Sequence, residues 1–206
     1  MYARSTTIRG NSQSVDDGIV YMRDEVLPVM QEMDGFVGLS VLVDRETGKC
    51  IATSAWADQA AMRASADRVH PMRERMAGMF GGEPEVQEWE IAVLHRAHGT
   101  HDGTWARLTW TRGDPAEGDR MLDRYRSDLM PRIEQMQGFS SLSLLMDRGT
   151  GLAVGTVTFD DRSALEASRE QARALREDAT RTMNRDMVDV AEFELVLAHL
   201  RVPETV

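Results

Sequence analysis

An internal duplication constrains the fold of this chain more than any other feature. Residues 28–58 align without gaps onto residues 131–161, and thirteen of the thirty-one aligned pairs are identical. The offset of 103 residues is too long for solenoid or propeller repeats, whose periods are about 20–50 residues. A repeat of this length is the size of a small domain. We therefore predict two similar domains, residues 1–96 and residues 104–206, joined by a linker at residues 97–103.

Both copies show the same succession of strand and helix patterns. After a first strand, apolar residues at three- and four-residue steps predict a helix, capped by Ser14 in copy one and ending at Gly35 or Gly138. Two strands joined by a glycine-containing hairpin turn follow. Their predicted bounds are Phe36–Asp44 and Lys49–Trp56 in copy one, and Phe139–Asp147 and Leu152–Phe159 in copy two. A second helix begins at Asp58 or Asp161, and a last strand completes the copy. The order β-α-β-β-α-β is typical of a ferredoxin-like domain, a four-stranded antiparallel sheet with both helices on one face.

The second face of each sheet must also be covered, because the strand patterns place apolar side chains there too. Two such sheets packed face to face would cover both. The predicted fold class is therefore α+β, with two tandem ferredoxin-like domains forming one intrachain pseudo-dimeric α+β barrel. Such a monomer needs no second chain to complete its barrel. A further homodimer is compatible with this fold but is not implied by it.

Charge and apolar patterning narrow the partners and the compartment. The chain has 34 acidic and 24 basic side chains and a formal net charge of −10, and its lack of basic clusters argues against a nucleic-acid partner. The longest apolar runs, such as residues 36–43, are far below the roughly 20 residues that span a bilayer. The N-terminus lacks the apolar segment of a signal peptide. The single cysteine, Cys50, is predicted to be a buried apolar residue. We expect a cytoplasmic protein without membrane contact.

Three local patterns resemble the antibiotic-biosynthesis-monooxygenase-like domains of the dimeric α+β barrel superfamily. They are the helix-to-strand turn at Asp34–Gly38 and Gln137–Phe139, the strand that ends in Trp56 before an acidic helix start, and the last strand at Glu88–Ile91 and Glu192–Leu195. The resemblance covers nearly the whole of each copy and implies the barrel fold. The activities it implies are cofactor-free oxygenation of aromatic polyketides, haem degradation, or no known chemistry.

The haem-degrading branch of this superfamily fits poorly. At the positions where the resemblance would place its Asn, Trp and His, both copies carry other residues: Ala3 and Ala106, Ser65 and Ser168, and Glu74 or Arg75 with Glu177 or Asp178. His70 lies about one helical turn before the expected His position, which is only a weak hint. We expect no cofactor, and a haem-binding or haem-degrading role ranks third among the alternatives.

Two residues are candidates for catalysis. His70 is the candidate general base, because an imidazole with a near-neutral pKa can take up a proton during substrate oxidation. Arg73 is the candidate for stabilising negative charge on the substrate. Each also has a plainer interpretation, His70 as a surface residue preceding Pro71 and Arg73 as a partner of the abundant carboxylates.

Five residues are candidates for ligand binding: Trp56, Trp110, Phe159, Arg4 and Arg107. The aromatic rings could stack on a planar ligand, and the arginines could hold an acidic phenol or a carboxylate. Core packing is the alternative for Trp56 and Phe159, which occupy equivalent positions. Thr7 occupies the position equivalent to Trp110, so the shared fold does not require that tryptophan.

A short histidine-rich tract lies at the junction of the two copies. His95, His98 and His101 offer the imidazole ligands of a metal site. However, Gly99 and Gly103 predict a flexible, solvated linker here. We expect no metal site.

Two functions remain open at this point. The first is an oxidoreductase, a cofactor-independent monooxygenase that binds a small aromatic or quinone-type substrate between sheet and helices. The second is a non-catalytic protein that binds a small hydrophobic molecule or serves in a stress response. Differences between the copies at Trp110/Thr7 and His70/Arg173 favour one working cavity and one structural half.

Overall fold

The computed structural model describes residues 1–99 and 103–205. The chain forms two compact units. Unit 1 consists of Met1–Trp89 and Glu194–Val202, and unit 2 consists of Glu90–Phe193 and Pro203–Val206. The predicted domain limits, residues 1–96 and 104–206, stay a prediction.

Unit 1 contains the first β-α-β-β-α-β succession. Its strands are β1 (Tyr2–Arg9), β2 (Phe36–Asp44), β3 (Lys49–Trp56) and the start of β4 (Glu85–Arg96). Its helices are α1 (Val15–Tyr21), α2 (Leu27–Gln31), α3 (Gln59–Ala64) and α4 (Ala66–Phe80). A π-helical turn, Met22–Val26, connects α1 to α2.

Unit 2 repeats this succession. Its strands are β5 (Trp105–Arg112), β6 (Phe139–Asp147), β7 (Leu152–Phe159), most of β4 and the start of β8 (Asp186–Leu200). Its helices are α5 (Gly118–Arg124), α6 (Met130–Glu134), α7 (Arg162–Ala167) and α8 (Arg169–Thr182). A π-helical turn, Tyr125–Leu129, connects α5 to α6. None of the helices in the described residues is both long and apolar enough to cross a membrane.

The strands follow the hydrogen-bonded order β1-β3-β2-β8-β5-β7-β6-β4 and close into a barrel. In unit 1, β3 pairs antiparallel with β1 and β2, and β2 also pairs with β8 from Gly38↔Leu200 to Val43↔Glu194. In unit 2, β7 pairs antiparallel with β5 and β6, and β6 also pairs with β4. The predicted fold class, α+β with two ferredoxin-like halves in one barrel, is confirmed.

Side-chain caps and left-handed glycines set the ends of the elements. Asp58 and Asp161 each accept a hydrogen bond, 2.8 Å long, from the backbone N–H three residues later, as N-caps do. Gly35 and Gly138 have φ of 75° and 73°, which favours glycine after a helix. The predicted cap at Ser14 is wrong, because the side chain of Asn11 caps a 3₁₀ turn that precedes α1.

The first helix of each copy differs from its prediction as one continuous α-helix. Pro28 and Pro131 lie at the start of α2 and α6, directly after the π-helical turns. Proline has no N–H to donate to the carbonyl four residues earlier and crowds that carbonyl. Widening the preceding turn relieves the conflict, and such π-helical turns occur often at functional sites.

Candidate functional site

Unit 2 contains a cavity of about 100 Å³ between its sheet and its helices. The wall is mostly apolar and includes Ile133, Leu144, Val157, Phe159 and Leu175. An engineered apolar protein cavity of about 150 Å³ binds benzene. The interior of the cavity in unit 2 therefore suits a ligand with one aromatic ring, and a larger ligand would have to extend through the open mouth.

The hydroxyl of Tyr125 is a buried polar group in this cavity. It has no hydrogen-bond partner among the described residues, and burial raises the pKa of the Tyr125 phenol. Gly155 lies opposite on β7, where an added Cβ would come within 3.8 Å of the Tyr125 hydroxyl oxygen. The sequence places glycine where the tyrosine hydroxyl approaches the sheet.

Arg176 brings a positive charge into the same cavity. Its Nη1 is buried and has no hydrogen-bond partner among the described residues. Burial, and then the positive charge of Arg107, lower the pKa of the Arg176 guanidinium. Arginine is not deprotonated in proteins at neutral pH, so the group stays a cation. It can donate to a ligand oxygen.

Arg107 also lines the cavity, but most of its N–H donors already make hydrogen bonds within the protein. Its Nε and Nη2 donate to Glu192 Oε1 at 3.0 and 2.8 Å, Nη1 donates to Ser168 Oγ at 2.8 Å, and Nη2 donates to the Leu165 carbonyl at 2.8 Å. Burial alone would raise the pKa of Glu192, but hydrogen bonds from Arg169 and Arg107 lower it on balance. Arg107 therefore ties the α7–α8 junction to the sheet.

A third guanidinium, Arg185, is fixed against the ends of β5 and β7. Its Nε donates to Thr111 Oγ1 at 2.9 Å, and its Nη2 donates to the carbonyls of Thr111 and Gly151 at 3.1 and 2.6 Å. Burial lowers the pKa of Arg185. Asn184, just before it, has φ of 50°, a left-handed turn that asparagine tolerates. The turn places Arg185 in the cavity wall.

Unit 1 has an equivalent but smaller cavity of about 60 Å³, lined by Arg4 and Arg73 and by several methionines. Among the positions that differ between the two cavities are five pairs, with unit 2 first: Tyr125/Met22, Gly155/Ala52, Ala172/Val69, Ala179/Met76 and Arg185/Gly82. Larger side chains on α4 and β3 narrow the cavity of unit 1. That cavity also lacks the tyrosine hydroxyl and the third guanidinium.

Comparison with known proteins places the chain in a family. No family model matches it. The uncharacterized protein Rv2557 of Mycobacterium tuberculosis is 49% identical over 206 residues, which cover 100% of this chain and 92% of that protein. The chain belongs to the Rv2557 family. The uncharacterized protein Rv2558 of the same organism is 49% identical over 207 residues, covering 100% of this chain and 88% of that protein.

Solved structures resemble this family member in fold. A "putative monooxygenase" of Lactobacillus acidophilus superposes with a TM-score of 0.69 at 8% identity, covering 97% of this chain and 96% of that chain. An anthrone oxidase-like protein has a TM-score of 0.67 at 12% identity, with coverage of 99% and 95%. A ferredoxin-fold protein of Listeria monocytogenes related to antibiotic biosynthesis monooxygenases has a TM-score of 0.53 at 9% identity, with coverage of 94% for both chains. The predicted resemblance to these domains is confirmed at the level of the fold.

The structure places His70 outside the cavity of unit 1. Its imidazole is 65% exposed, and Nδ1 lies 3.9 Å from Glu74 Oε1. The cavity-lining stripe of α4 consists of Val69, Met72, Arg73 and Met76, which recur at the spacing of one helix face. His70 lies off this stripe, so it cannot act as a general base on a ligand in this cavity from this position. Arg73 does line it.

The aromatic candidates separate into cavity and core residues. Phe159 lines the cavity of unit 2, with the Arg107 Cζ 5.6 Å from its ring centroid. Trp56 is fully buried, donates from Nε1 to Ser54 Oγ at 3.0 Å and does not line the cavity of unit 1. Trp110 alternates along β5 with the cavity-lining Thr109 and Thr111, so its side chain lies on the other face of the strand. Only Phe159 belongs to the cavity.

The two described histidines of the tract, His95 and His98, line neither cavity. His95 Nε2 is 3.3 Å from Glu134 Oε1, and His95 Nδ1 is 3.5 Å from Glu204 Oε2. His101 lies outside the described residues. No group of three or more His, Cys, Asp or Glu side chains able to hold a metal occurs within residues 1–99 and 103–205.

Sequence reasoning missed Tyr125 and Arg185 as site residues. Tyr125 lies within the first predicted helix of copy two, where helical spacing alone does not distinguish a ligand-binding tyrosine from a core residue, and Arg185 follows the predicted second helix of that copy. The signal that could have found them was the difference between copies, because Met22 and Gly82 occupy the equivalent positions. The difference between the copies also singled out Trp110, but its side chain lies on the face of β5 that points away from the cavity.

Proposed function

We propose that the protein is a cofactor-independent monooxygenase-like protein that binds a small aromatic or quinone-type molecule in the cavity of unit 2. The observation that carries this proposal is the pair of buried polar groups, Tyr125 Oη and Arg176 Nη1, without partners among the described residues. Buried polar groups are normally hydrogen-bonded, and oxygen atoms of a ligand would supply acceptors for both. The fold shared with an anthrone oxidase-like protein supports oxygen chemistry.

In the proposed reaction the substrate itself supplies the electrons. A CH₂ group conjugated to a ring carbonyl or phenol loses a proton and gives a stabilised carbanion, and its carbon then bonds to O₂. Cleavage of the O–O bond leaves one oxygen on the carbon as C=O and releases the other as water. Loss of the two C–H bonds supplies the four electrons that reduce O₂, so the reaction needs no further reductant.

The residues of unit 2 would contribute binding and charge stabilisation. Arg176 would stabilise the oxyanion that forms when the substrate is deprotonated, and Tyr125 would donate a second hydrogen bond to it. The apolar wall, including Val157 and Phe159, would exclude water from the reactive carbon. Ring stacking and shape would orient the substrate.

A second candidate is a non-catalytic protein that binds a small hydrophobic molecule in the same cavity. One observation favours it: the described residues that line the cavity include no His, Asp or Glu. The cavity wall therefore supplies no ordinary general base. A substrate that enters already ionised, or that loses its proton to water at the mouth, is required for oxygenation.

Oxygen uptake tests the proposal. We expect wild-type protein to consume O₂ above the blank with anthrone or 1,8-dihydroxyanthrone, which carry such a CH₂ group, and Arg176→Met to lower the rate about 100-fold, as loss of an oxyanion donor does. The control is Arg181→Met, which removes an exposed arginine from the last turn of α8 and should leave the rate unchanged. Binding of these molecules without oxygen uptake would leave the second candidate, and absence of both would overturn the proposal. A haem titration without a Soret shift would remove the third alternative.

A further inference from the structure

We propose that the cavity of unit 2 selects anionic ligands, single-ring aromatic molecules that carry a carboxylate or phenolate oxygen, through Arg176 and Arg185. This inference rests on the cavity of the proposed function and narrows the class of its ligand. It concerns binding alone, so it does not depend on whether oxygenation follows.

The charge in the cavity wall is unbalanced. Three guanidinium groups line the cavity, those of Arg107, Arg176 and Arg185, and the described lining residues include no carboxylate. Glu192, 2.8 Å from Arg107 Nη2, balances the first of them. Arg176 and Arg185 have no carboxylate within ion-pair distance among the described residues. The wall thus carries two positive charges without paired anions.

A charge without a paired anion is unfavourable where it is partly buried, as Arg176 and Arg185 are, because the protein replaces only part of the solvation by water. Nη1 of Arg176 is buried without a hydrogen-bond acceptor among the described residues. An anionic ligand would supply both the acceptor and the missing charge. A neutral ligand of the same shape would supply at most the acceptor.

Arg185 is held in position before any ligand arrives. Two backbone carbonyls and the Thr111 hydroxyl accept from its Nε and Nη2, which leaves Nη1 outside these bonds. Gly113 makes room for that atom, since an added Cβ there would lie 2.8 Å from Arg185 Nη1. A fixed guanidinium loses little side-chain entropy when it binds a ligand.

The equivalent cavity of unit 1 provides an internal comparison. Gly82 takes the place of Arg185, and an added Cβ at Gly82 would lie 2.1 Å from the Arg9 carbonyl oxygen, so the backbone leaves no room for a side chain there. Met22 takes the place of Tyr125. Arg73, at the position of Arg176, also has a buried Nε without a partner among the described residues, but its cavity is smaller and has no counterpart of Arg185. We therefore expect unit 2 to hold the tighter anion site of each chain.

Calorimetric titration with two ligands of equal shape tests the inference. At neutral pH 4-ethylbenzoate is an anion and 4-ethylbenzamide is neutral. We expect the benzoate to bind about 10- to 100-fold more tightly, the factor given by hydrogen bonds to a charged group, with one tightly bound molecule per chain. Arg176→Met and Arg185→Met should each erase most of this preference, and Arg176→Lys should retain part of it. Arg181→Met, an exposed change on the same helix as Arg176, should leave it intact, and circular dichroism verifies the fold of each variant.

A phenol tests the second source of anionic oxygen. 4-Nitrophenol ionises near neutral pH, and its phenolate absorbs visible light. Binding beside Arg176 should raise the phenolate fraction at slightly acidic pH, and Arg176→Met should remove that rise.

Equal affinity for benzoate and benzamide, or binding of neither together with an unchanged 4-nitrophenol spectrum, would overturn the inference. Oxygen uptake with a neutral substrate would then still support the proposed function. Conversely, anion-selective binding without oxygen uptake would uphold the inference and refute the monooxygenase.

Discussion

Replacing Tyr125 by phenylalanine separates stability from ligand binding. The tyrosine ring is buried at the junction of α5 and the π-helical turn, and its hydroxyl has no hydrogen-bond partner among the described residues. Tyr125→Phe removes that hydroxyl and keeps the ring. If the hydroxyl is kept for a ligand, the ligand-free protein should become more stable while ligand binding weakens.

The magnitude follows from the cost of an unsatisfied buried hydroxyl. Such a group costs about 1–3 kcal/mol, and Gly155, opposite on β7, offers no side chain to offset it. We expect the free energy of unfolding to rise by about 1 kcal/mol, which raises Tm by about 2–4 °C in a protein of this size. Loss of the hydrogen bond to a charged ligand should weaken 4-ethylbenzoate binding by about 1.5 kcal/mol, or more than tenfold.

Thermal denaturation without ligand measures the first effect, and calorimetric titration measures the second. Tyr21→Phe is the matched control, because Tyr21 is also buried on the first helix of its unit but its hydroxyl donates to the Met72 carbonyl at 3.5 Å. That variant should be neutral or slightly destabilised. A Tyr125→Phe protein that melts below the wild type would show that the hydroxyl is satisfied, and would refute the reasoning.

Four further outcomes are expected. Arg107→Met should lower the free energy of unfolding by about 2 kcal/mol in urea titrations, because it removes the hydrogen bonds to Glu192 and Ser168 while Arg169 still pairs with Glu192. Gly151→Ala should cost at least about 2 kcal/mol, since φ is 70° and the new Cβ would lie 2.0 Å from a backbone oxygen, whereas Gly149→Ala should change stability by less than about 0.5 kcal/mol. Cys50, whose burial raises its thiol pKa to about 12, should react with iodoacetamide at pH 8 only after urea unfolding. Because the folded-state pKa of Glu192 is lowered, the stabilisation by this carboxylate is present at neutral pH and is lost as pH falls below about 4.5. The Tm of the Glu192→Gln variant should therefore fall less on acidification than the Tm of the wild type.

The duplicated pattern was enough to predict the order of elements and several boundaries. β2, β3, β6 and β7 begin and end where their apolar runs and glycine turns predict. These features are local, because a strand run or a turn glycine is read within a few residues. The π-helical turns were missed, although Pro28 and Pro131 mark them, because helical spacing of apolar residues does not distinguish one slightly widened turn.

The site was harder to predict because its residues meet only through tertiary structure. Four of the predicted residues do line cavities: Arg4, Arg73, Arg107 and Phe159. The period of two along a strand or the helical period along α4 places each of them on the face that points into the unit. His70 was selected by residue type, and the helix phase turns it to solvent. Whether an arginine donor is already used by the protein depends on partners more than fifty residues away, as Glu192 is from Arg107.

Strand β8 begins in unit 2 and ends in unit 1, and this has a consequence for synthesis of the chain on the ribosome. The edge of β2 not paired with β3 pairs with Glu194–Leu200, the end of a 15-residue strand. β2 therefore emerges with one row of backbone donors and acceptors open and stays so until β8 has been translated. Open strand edges promote wrongly paired, aggregated chains. A premature stop codon between β2 and β8 would thus leave that edge of β2 permanently open.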